Sequence, residues 1–152
     1  DLENDMYDLI LGFFQQKGYA YESALNAPES LAYIFFSKNF EYQWVNGGIY
    51  QQFDNYGDES LTLVAGAYEV FGLKKQANLV KKMADEYQNA KNIYEKKVGK
   101  VLSHRDYMDQ ADNLDLEHFE KEYLKFEGPT SVARVAYIRK NLQDILDSFN
   151  YN

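Results

Sequence analysis

Acidic side chains recur at helical spacing in two parts of the chain. Asp1, Asp5 and Asp8 follow at steps of four and three residues, which places them on one face of a helix. A second set has steps of three within each of its two parts, which are Asp106, Asp109 and Asp112, and Glu117 with Glu120. Helical neighbours of this kind stand about 5–6 Å apart at Cβ, and DNA carries a phosphate every ~3.4 Å along each strand. Both rows are therefore candidate binding sites for Arg and Lys side chains of a basic partner.

Charge is distributed in blocks along the chain. There are 24 Asp and Glu against 16 Lys and Arg, a formal net charge of −8. Residues 1–60 contain ten acids and two Lys, residues 73–100 eight Lys and three acids, and residues 106–127 eight acids and two Lys. Blocks of one sign create local potentials that steer a charged partner. The Lys-rich block argues against a wholly DNA-like surface and fits contact with an acidic surface, an acidic ligand or solvent.

Side chains suited to catalysis are few. The chain has two His and no Cys, which excludes thiolate zinc sites and cysteine nucleophiles and fits a reducing compartment. Asp115, His118 and Glu122 share a helical face and are the basis of an alternative function, a metal-dependent enzyme. A solvated helix face explains the same spacing, because there is no HExxH motif. Phosphate-binding loops and serine nucleophile motifs are absent, so the sequence favours a protein without enzymatic activity and without a cofactor.

The elements that position these side chains are predicted to be helices. Apolar residues recur at steps of three and four through most of the chain, and no alternating strand pattern exceeds four residues. Gly and Pro mark several helix ends. With 152 residues and 45% hydrophobic content, the chain is long enough for one domain, residues 1–152, with a core that needs no disulfide. We expect an all-α compact bundle of six to seven helices.

The first and last helices carry regular apolar stripes. The first stripe, which should be buried, consists of Leu2, Met6, Leu9, Ile10 and Phe13. A Tyr-rich stretch after Gly18 is expected to be a connection. One last helix, beginning near Thr130 or Ser131, should bury Val135, Ile138, Leu142, Ile145 and Phe149.

The segment 31–45 contains ten apolar or aromatic residues. One stripe consists of Leu31, Ile34, Phe35, Tyr42 and Val45, and a second of Phe36, Phe40 and Trp44. A helix with two apolar faces is buried centrally or shared with a partner, and aromatic side chains are enriched in interface cores. We therefore expect the protein to form a homodimer through this helix. It should break at Asn46-Gly47-Gly48, because two consecutive Gly interrupt a helix.

The residues around this break carry a signature. Ile49 and Gln52 stand where the pattern NGGF-x-QFF-x-N has aromatic residues, and the matching residues are Asn46, Gly47, Gly48, Gln51, Phe53 and Asn55. In this the chain resembles a bacterial domain-of-unknown-function family. That family is known for a DNA-mimic protein, an acidic helical dimer that occupies the DNA-binding surface of a transcription factor. The resemblance covers about residues 29–100.

The resemblance implies a cytoplasmic protein that binds the basic surface of a DNA-binding protein. It implies no direct binding to nucleic acid. No segment approaches the ~18 uninterrupted apolar residues that a membrane span needs, so no association with a membrane is expected. An acidic immunity protein against a nuclease toxin is an alternative, because it would use the same carboxylates. The signature also has a purely structural explanation, in which the two Gly turn the chain and Asn46 caps the preceding helix. Gln51 and Asn55 would then form hydrogen bonds with the backbone of the loop, and Phe53 would fill the core.

Overall fold

A computed structural model describes residues 1–101, 117–126 and 129–151. Within these ranges the chain forms helices and no β-strand, which confirms the predicted all-α class. The helices are α1 (Leu2–Gln16), α2 (Ala20–Leu25), α3 (Glu29–Tyr56), α4 (Glu59–Val70), α5 (Lys74–Val98), α6 (Glu117–Tyr123), α7 (Pro129–Lys140) and α8 (Leu142–Ser148), with a 3₁₀ turn at Leu124–Phe126 after α6. None of these helices is both long and apolar enough to span a membrane.

Helix α3 is the central element of the fold. It contacts α1, α2, α4 and α8, so other helices cover it on several sides. Leu31, Ile34 and Phe40 are almost fully buried, whereas Tyr42 and Val45 are exposed. Both predicted stripes therefore contribute mainly to the core of a single chain. They do not support the homodimer expected through residues 31–45, which stays a prediction.

The predicted Gly-Gly break is a kink inside α3. Gly47 has φ −161° and ψ 17°, and Gly48 has φ 69° and ψ −166°. Helical geometry resumes at Ile49, so only these two residues depart from it at the kink. A positive φ combined with ψ near 180° is accessible to almost no residue except glycine. Gly48 is therefore the residue of the pair that the kink requires.

Helices α4 and α5 pack against each other beside α3. Phe53 of α3 stacks on Tyr87 of α5, with ring centres 4.2 Å apart and planes within 2°. Gly66 lets α4 approach α3 closely, because a Cβ at this position would lie only 3.2 Å from Cε1 of Tyr33. The α4–α5 pair thus closes the core on one side of α3, and α6 packs against α5.

The buried face of α1 differs from the predicted stripe. Its buried residues are Glu3, Met6, Tyr7, Ile10 and Phe14. Leu9, predicted to be buried, is 52% exposed. The physical reason is that Glu3 has buried partners on other helices and lies on the inner face, so the helix is rotated relative to the purely apolar arrangement.

The stretch after Gly18, predicted to be a connection, contains the short helix α2. Ala24 is fully buried there. Tyr21 packs against Phe36 and Tyr56, with ring centres 5.6 Å and 4.9 Å away. Tertiary packing on α3 therefore stabilises a helix of six residues, a length at which an isolated helix does not form.

The predicted last helix is divided into α7 and α8 at Asn141. The Asn141 side chain donates a hydrogen bond from Nδ2 to the carbonyl of Tyr137 at 2.8 Å. Asn141 itself has φ −115° and ψ 21°, outside the helical range, and this backbone geometry separates the two helices. Leu142 directly after it is 40% exposed, and the prediction that it is buried was wrong.

Candidate functional site

The carboxylates of Asp1, Asp5 and Asp8 lie on the exposed face of α1. Asp1 accepts a hydrogen bond from the backbone N–H of Asn4 at 2.9 Å and so caps the helix. Oδ2 of Asp5 is 3.4 Å from the backbone nitrogen of Asp1. A rise of about 1.5 Å per residue separates successive members by about 6 and 4.5 Å along the helix axis. The structure thus brings the three together in one row, hereafter the α1 row.

A buried ion cluster lies on the inner side of α1. Its centre is Arg134 of α7, which is fully buried. Nη1 of Arg134 pairs with Glu3 of α1, and its Nη2 donates to Oε1 of Glu41 on α3 at 2.7 Å. Nε donates to Oγ of Ser37 at 2.9 Å. The guanidinium therefore joins α1, α3 and α7 through charge-assisted hydrogen bonds.

Glu3 has two more partners in this cluster. Its Oε2 accepts hydrogen bonds from Nζ of Lys38 at 3.1 Å and from the hydroxyl of Ser131 at 2.8 Å. Burial alone raises the pKa of Glu3, but its three partners favour the carboxylate and keep this pKa below the usual 4.5. Burial lowers the pKa of Arg134, whereas Glu41 and Glu3 raise it above its usual value. Glu3 and Arg134 are therefore both ionised at neutral pH.

The second acidic set is described only in part. Asp106, Asp109 and Asp112 lie outside the described residues, and Glu117 is the first residue of α6. Glu120 is half-buried, and its carboxylate occupies the space where a side chain at Gly48 would begin. Part of Glu120 is therefore in contact with the kink of its own chain, and the structure does not show a continuous second row.

The signature residues connect the two halves of α3 across the kink. Oε1 of Gln43 accepts hydrogen bonds from Nε2 of Gln51 at 2.8 Å and from Nδ2 of Asn55 at 2.6 Å. These two amides thus donate hydrogen bonds to the side chain of Gln43, and not to the loop backbone as expected from the sequence. Phe53 is fully buried, and Asn46 is exposed beside the kink. In the described structure these contacts stabilise the bend in α3.

The residues proposed for a metal site are only partly described. Asp115 lies outside the described residues. Nε2 of His118 is 3.7 Å from a carboxylate oxygen of Glu86 on α5, and both side chains are about half exposed. Glu122 is exposed. In the part of the chain that the structure describes, no three His, Asp or Glu side chains are grouped as metal ligands.

The Lys-rich block forms the solvent-facing side of α5. Its exposed lysines are Lys74, Lys75, Lys81, Lys82, Lys96 and Lys97, and Lys100 follows the helix. Lys81 forms an ion pair with Glu69 of α4, in which both side chains are about half exposed. The protein therefore has a basic face on α5 and an acidic face on α1.

The residues of the ion cluster were missed by the sequence reasoning. The signal that could have found them is a charged residue at a core position. Arg134 is four residues from Thr130 and four from Ile138, and both of these are buried. Glu3 is likewise three residues before the buried Met6. A charge at such a position is almost never buried without a partner, so each of the two residues needs one.

Comparison with known proteins identifies a family for the chain. Residues 23–141 match the DMP19-like protein family. The match begins in α2, includes the signature around the kink, and ends just after α7. No curated protein and no solved structure matches the chain. Because the family match spans well over half of the 152 residues, the chain belongs to the DMP19-like protein family.

Proposed function

We propose that this protein binds the basic DNA-binding surface of a transcription regulator in the cytoplasm, in the manner of a DNA mimic and without enzymatic activity. The observation that carries the proposal is the α1 row. Its three carboxylates are exposed on one face of α1, while Glu3 on the opposite face is fixed by Arg134. Because the ion cluster sets the rotation of α1, the row needs little further ordering when a partner binds.

Two other observations support this proposal. The family to which the chain belongs is known for a DNA mimic, and the net charge of −8 favours encounter with a cationic partner. Arg and Lys side chains that contact phosphates on DNA form charge-assisted hydrogen bonds with carboxylates as well. The row therefore offers such a surface a substitute for a short stretch of phosphates.

The test begins with capture of the partner from the native host and its identification by mass spectrometry. The affinity of the purified partner is then measured with and without duplex DNA, and at increasing salt. DNA should compete with the protein for the partner. Affinity should fall with salt, because the Debye length shortens from about 10 Å at 0.1 M to about 3 Å at 1 M.

A matched pair of variants locates the interaction. Asp5→Asn with Asp8→Asn removes two exposed charges three residues apart on α1 and leaves the helix cap at Asp1 intact. Asp144→Asn with Asp147→Asn removes two exposed charges with the same spacing on α8. The α1 variant should bind about tenfold more weakly or worse, since hydrogen bonds to charged groups contribute about 1.5–3 kcal/mol each. The α8 variant should bind as wild type does.

The proposal fails if one partner molecule binds this protein and duplex DNA at the same time, with an affinity that the α1 variant leaves unchanged. Capture of a nuclease whose activity is blocked would instead support the acidic inhibitor.

A further inference from the structure

A pocket lies where α3, the turn after α6 and the start of α7 meet. Its volume is about 210 Å³. The lining residues are Glu41, Trp44, Val45, Tyr123, Leu124, Thr130 and Ser131. The pocket borders the ion cluster, because Glu41 belongs to both and Ser131 donates to Glu3.

Most of the described part of the pocket wall is apolar. Val45 is 76% exposed and Leu124 is 54% exposed, so both present apolar surface to a ligand that enters. The rings of Trp44 and Tyr123 are largely buried, with centres 4.4 Å apart. Solvent-exposed apolar side chains beside packed aromatic rings are typical of a site that receives part of a ligand. The walls thus suit a slender aliphatic chain.

Glu41 makes a purely apolar occupant unfavourable. Its side chain is 22% exposed and accepts two hydrogen bonds from Arg134. A carboxylate offers about four acceptor positions, so acceptor capacity remains. An apolar ligand would remove water from this carboxylate without replacing its hydrogen bonds, which costs free energy. A ligand with a cationic tip would avoid that cost.

We propose that the pocket binds one Arg or Lys side chain of the protein partner. The aliphatic stem packs against Val45 and Leu124, and the cationic group hydrogen-bonds to Glu41. Long basic side chains combine an apolar stem with a charged end, which matches this wall and this carboxylate. The inference rests on the proposed function, because it assumes that the partner presents a basic surface.

The pocket and the α1 row would contribute differently to binding. Exposed charges mainly raise the association rate, whereas a side chain inserted into a pocket contributes more to affinity and to the choice of partner. A basic surface without an Arg or Lys at the matching position would then be attracted by the row and dissociate quickly. The pocket therefore provides discrimination that a row of carboxylates lacks.

The test uses the full chain and three small probes, without partner or DNA. The probes are the N-acetyl methylamides of arginine, of its neutral isostere citrulline and of norleucine. Trp44 is the only Trp in the chain, so the intrinsic Trp fluorescence reports directly on the pocket. The arginine probe should produce a saturable change. The citrulline and norleucine probes should bind about tenfold more weakly or worse, because they lack the charge that pairs with Glu41.

Two variants examine the site itself. Glu41→Gln should remove the preference for arginine over citrulline, but Glu41 also pairs with Arg134, so this variant can lose stability. Val45→Lys leaves the ion cluster intact, because Val45 is exposed, and places a positive charge at the pocket. This substitution should weaken the binding of the arginine probe about tenfold, because the two positive charges repel each other. Val132→Lys is the matched control, since Val132 is 72% exposed on α7 and outside the lining given above.

Three results would overturn the inference: equal responses to arginine and citrulline, tighter binding of norleucine than of arginine, or Val45→Lys binding arginine as wild type does. A failure of DNA to compete for the partner would count against the proposed function alone. A folded protein that shows no response to the arginine probe, while its partner is displaced by DNA, would overturn only the pocket.

Discussion

Helices α1 and α5 carry opposite charges on their exposed faces, and they differ in how those faces are fixed. The inner face of α1 is buried along its length and includes Glu3, which pairs with Arg134 on α7. The fully buried residues of α5 all lie between Gln76 and Tyr87. From residue 88 to residue 101 the chain has no fully buried side chain.

This difference determines how firmly the charged side chains of each helix are held in position. The α1 row is set by a helix that buried contacts hold in one rotation, so its carboxylates keep their spacing. The lysines near the end of α5 stand on long flexible stems, and each loses side-chain entropy when it is ordered. We therefore expect α1 to present a defined pattern and α5 to contribute a diffuse positive potential.

The largest expected effect is on the attachment of α1. Arg134→Met should lower the free energy of unfolding by about 3–5 kcal/mol, because it leaves the buried Glu3 and the partly buried Glu41 without their main partner. Denaturant unfolding followed by circular dichroism measures this change. In this variant α1 would no longer be held in one rotation, so the difference between α1 and α5 would become smaller.

Arg139→Met is the control, because Arg139 is exposed on the same helix. Its effect should stay within about 0.5 kcal/mol, as is usual for surface substitutions. If Arg134→Met were as stable as wild type, the ion cluster would not be what fixes α1.

The α1 row could be predicted from the sequence because helical spacing is a local property. The kink at Gly48 was predictable for the same reason, since two consecutive Gly interrupt a helix wherever they occur. The pairing of Glu3 with Arg134 joins residues 131 positions apart, so it depends on how α1 and α7 pack. Charged residues at core positions can indicate that partners are needed, but not which ones.

The pocket could not be predicted from spacing at all. Its walls come from α3, the turn after α6 and the start of α7, and their meeting depends on the whole fold. The position of Glu120 illustrates the same limit. Its spacing placed it in an acidic row, whereas its carboxylate contacts the kink because Gly48 has no side chain.

A second prediction concerns pH, and we expect an effect of intermediate size. The pKa of Glu3 is lower in the folded protein than its usual value of 4.5. Its contribution to stability is therefore complete above about pH 4.5 and is lost as the pH falls through the folded-state pKa. The loss is about 1.4 kcal/mol for each unit by which the pKa is lowered.

Urea unfolding of wild type and Glu3→Gln between pH 7 and pH 3 measures this contribution. The difference in stability should be largest near neutral pH and should narrow below about pH 4.5. Asp8→Asn is the control for removing one exposed carboxylate from α1. A difference between wild type and Glu3→Gln that is constant over the whole range would show that Glu3 is not stabilised as a carboxylate.

The smallest expected effect is on the basic face, at the ion pair of Lys81 with Glu69. Both side chains are about half exposed, so solvent screens their attraction and ordering them costs entropy. A double-mutant cycle with Lys81→Ala and Glu69→Ala, measured by urea unfolding, should give a coupling of about 0.2–1 kcal/mol. Raising the salt concentration should reduce this coupling further. A coupling near the 3–5 kcal/mol expected for breaking the buried pair would mean that α5 is fixed by its charges as firmly as α1, and the contrast between the two faces would disappear.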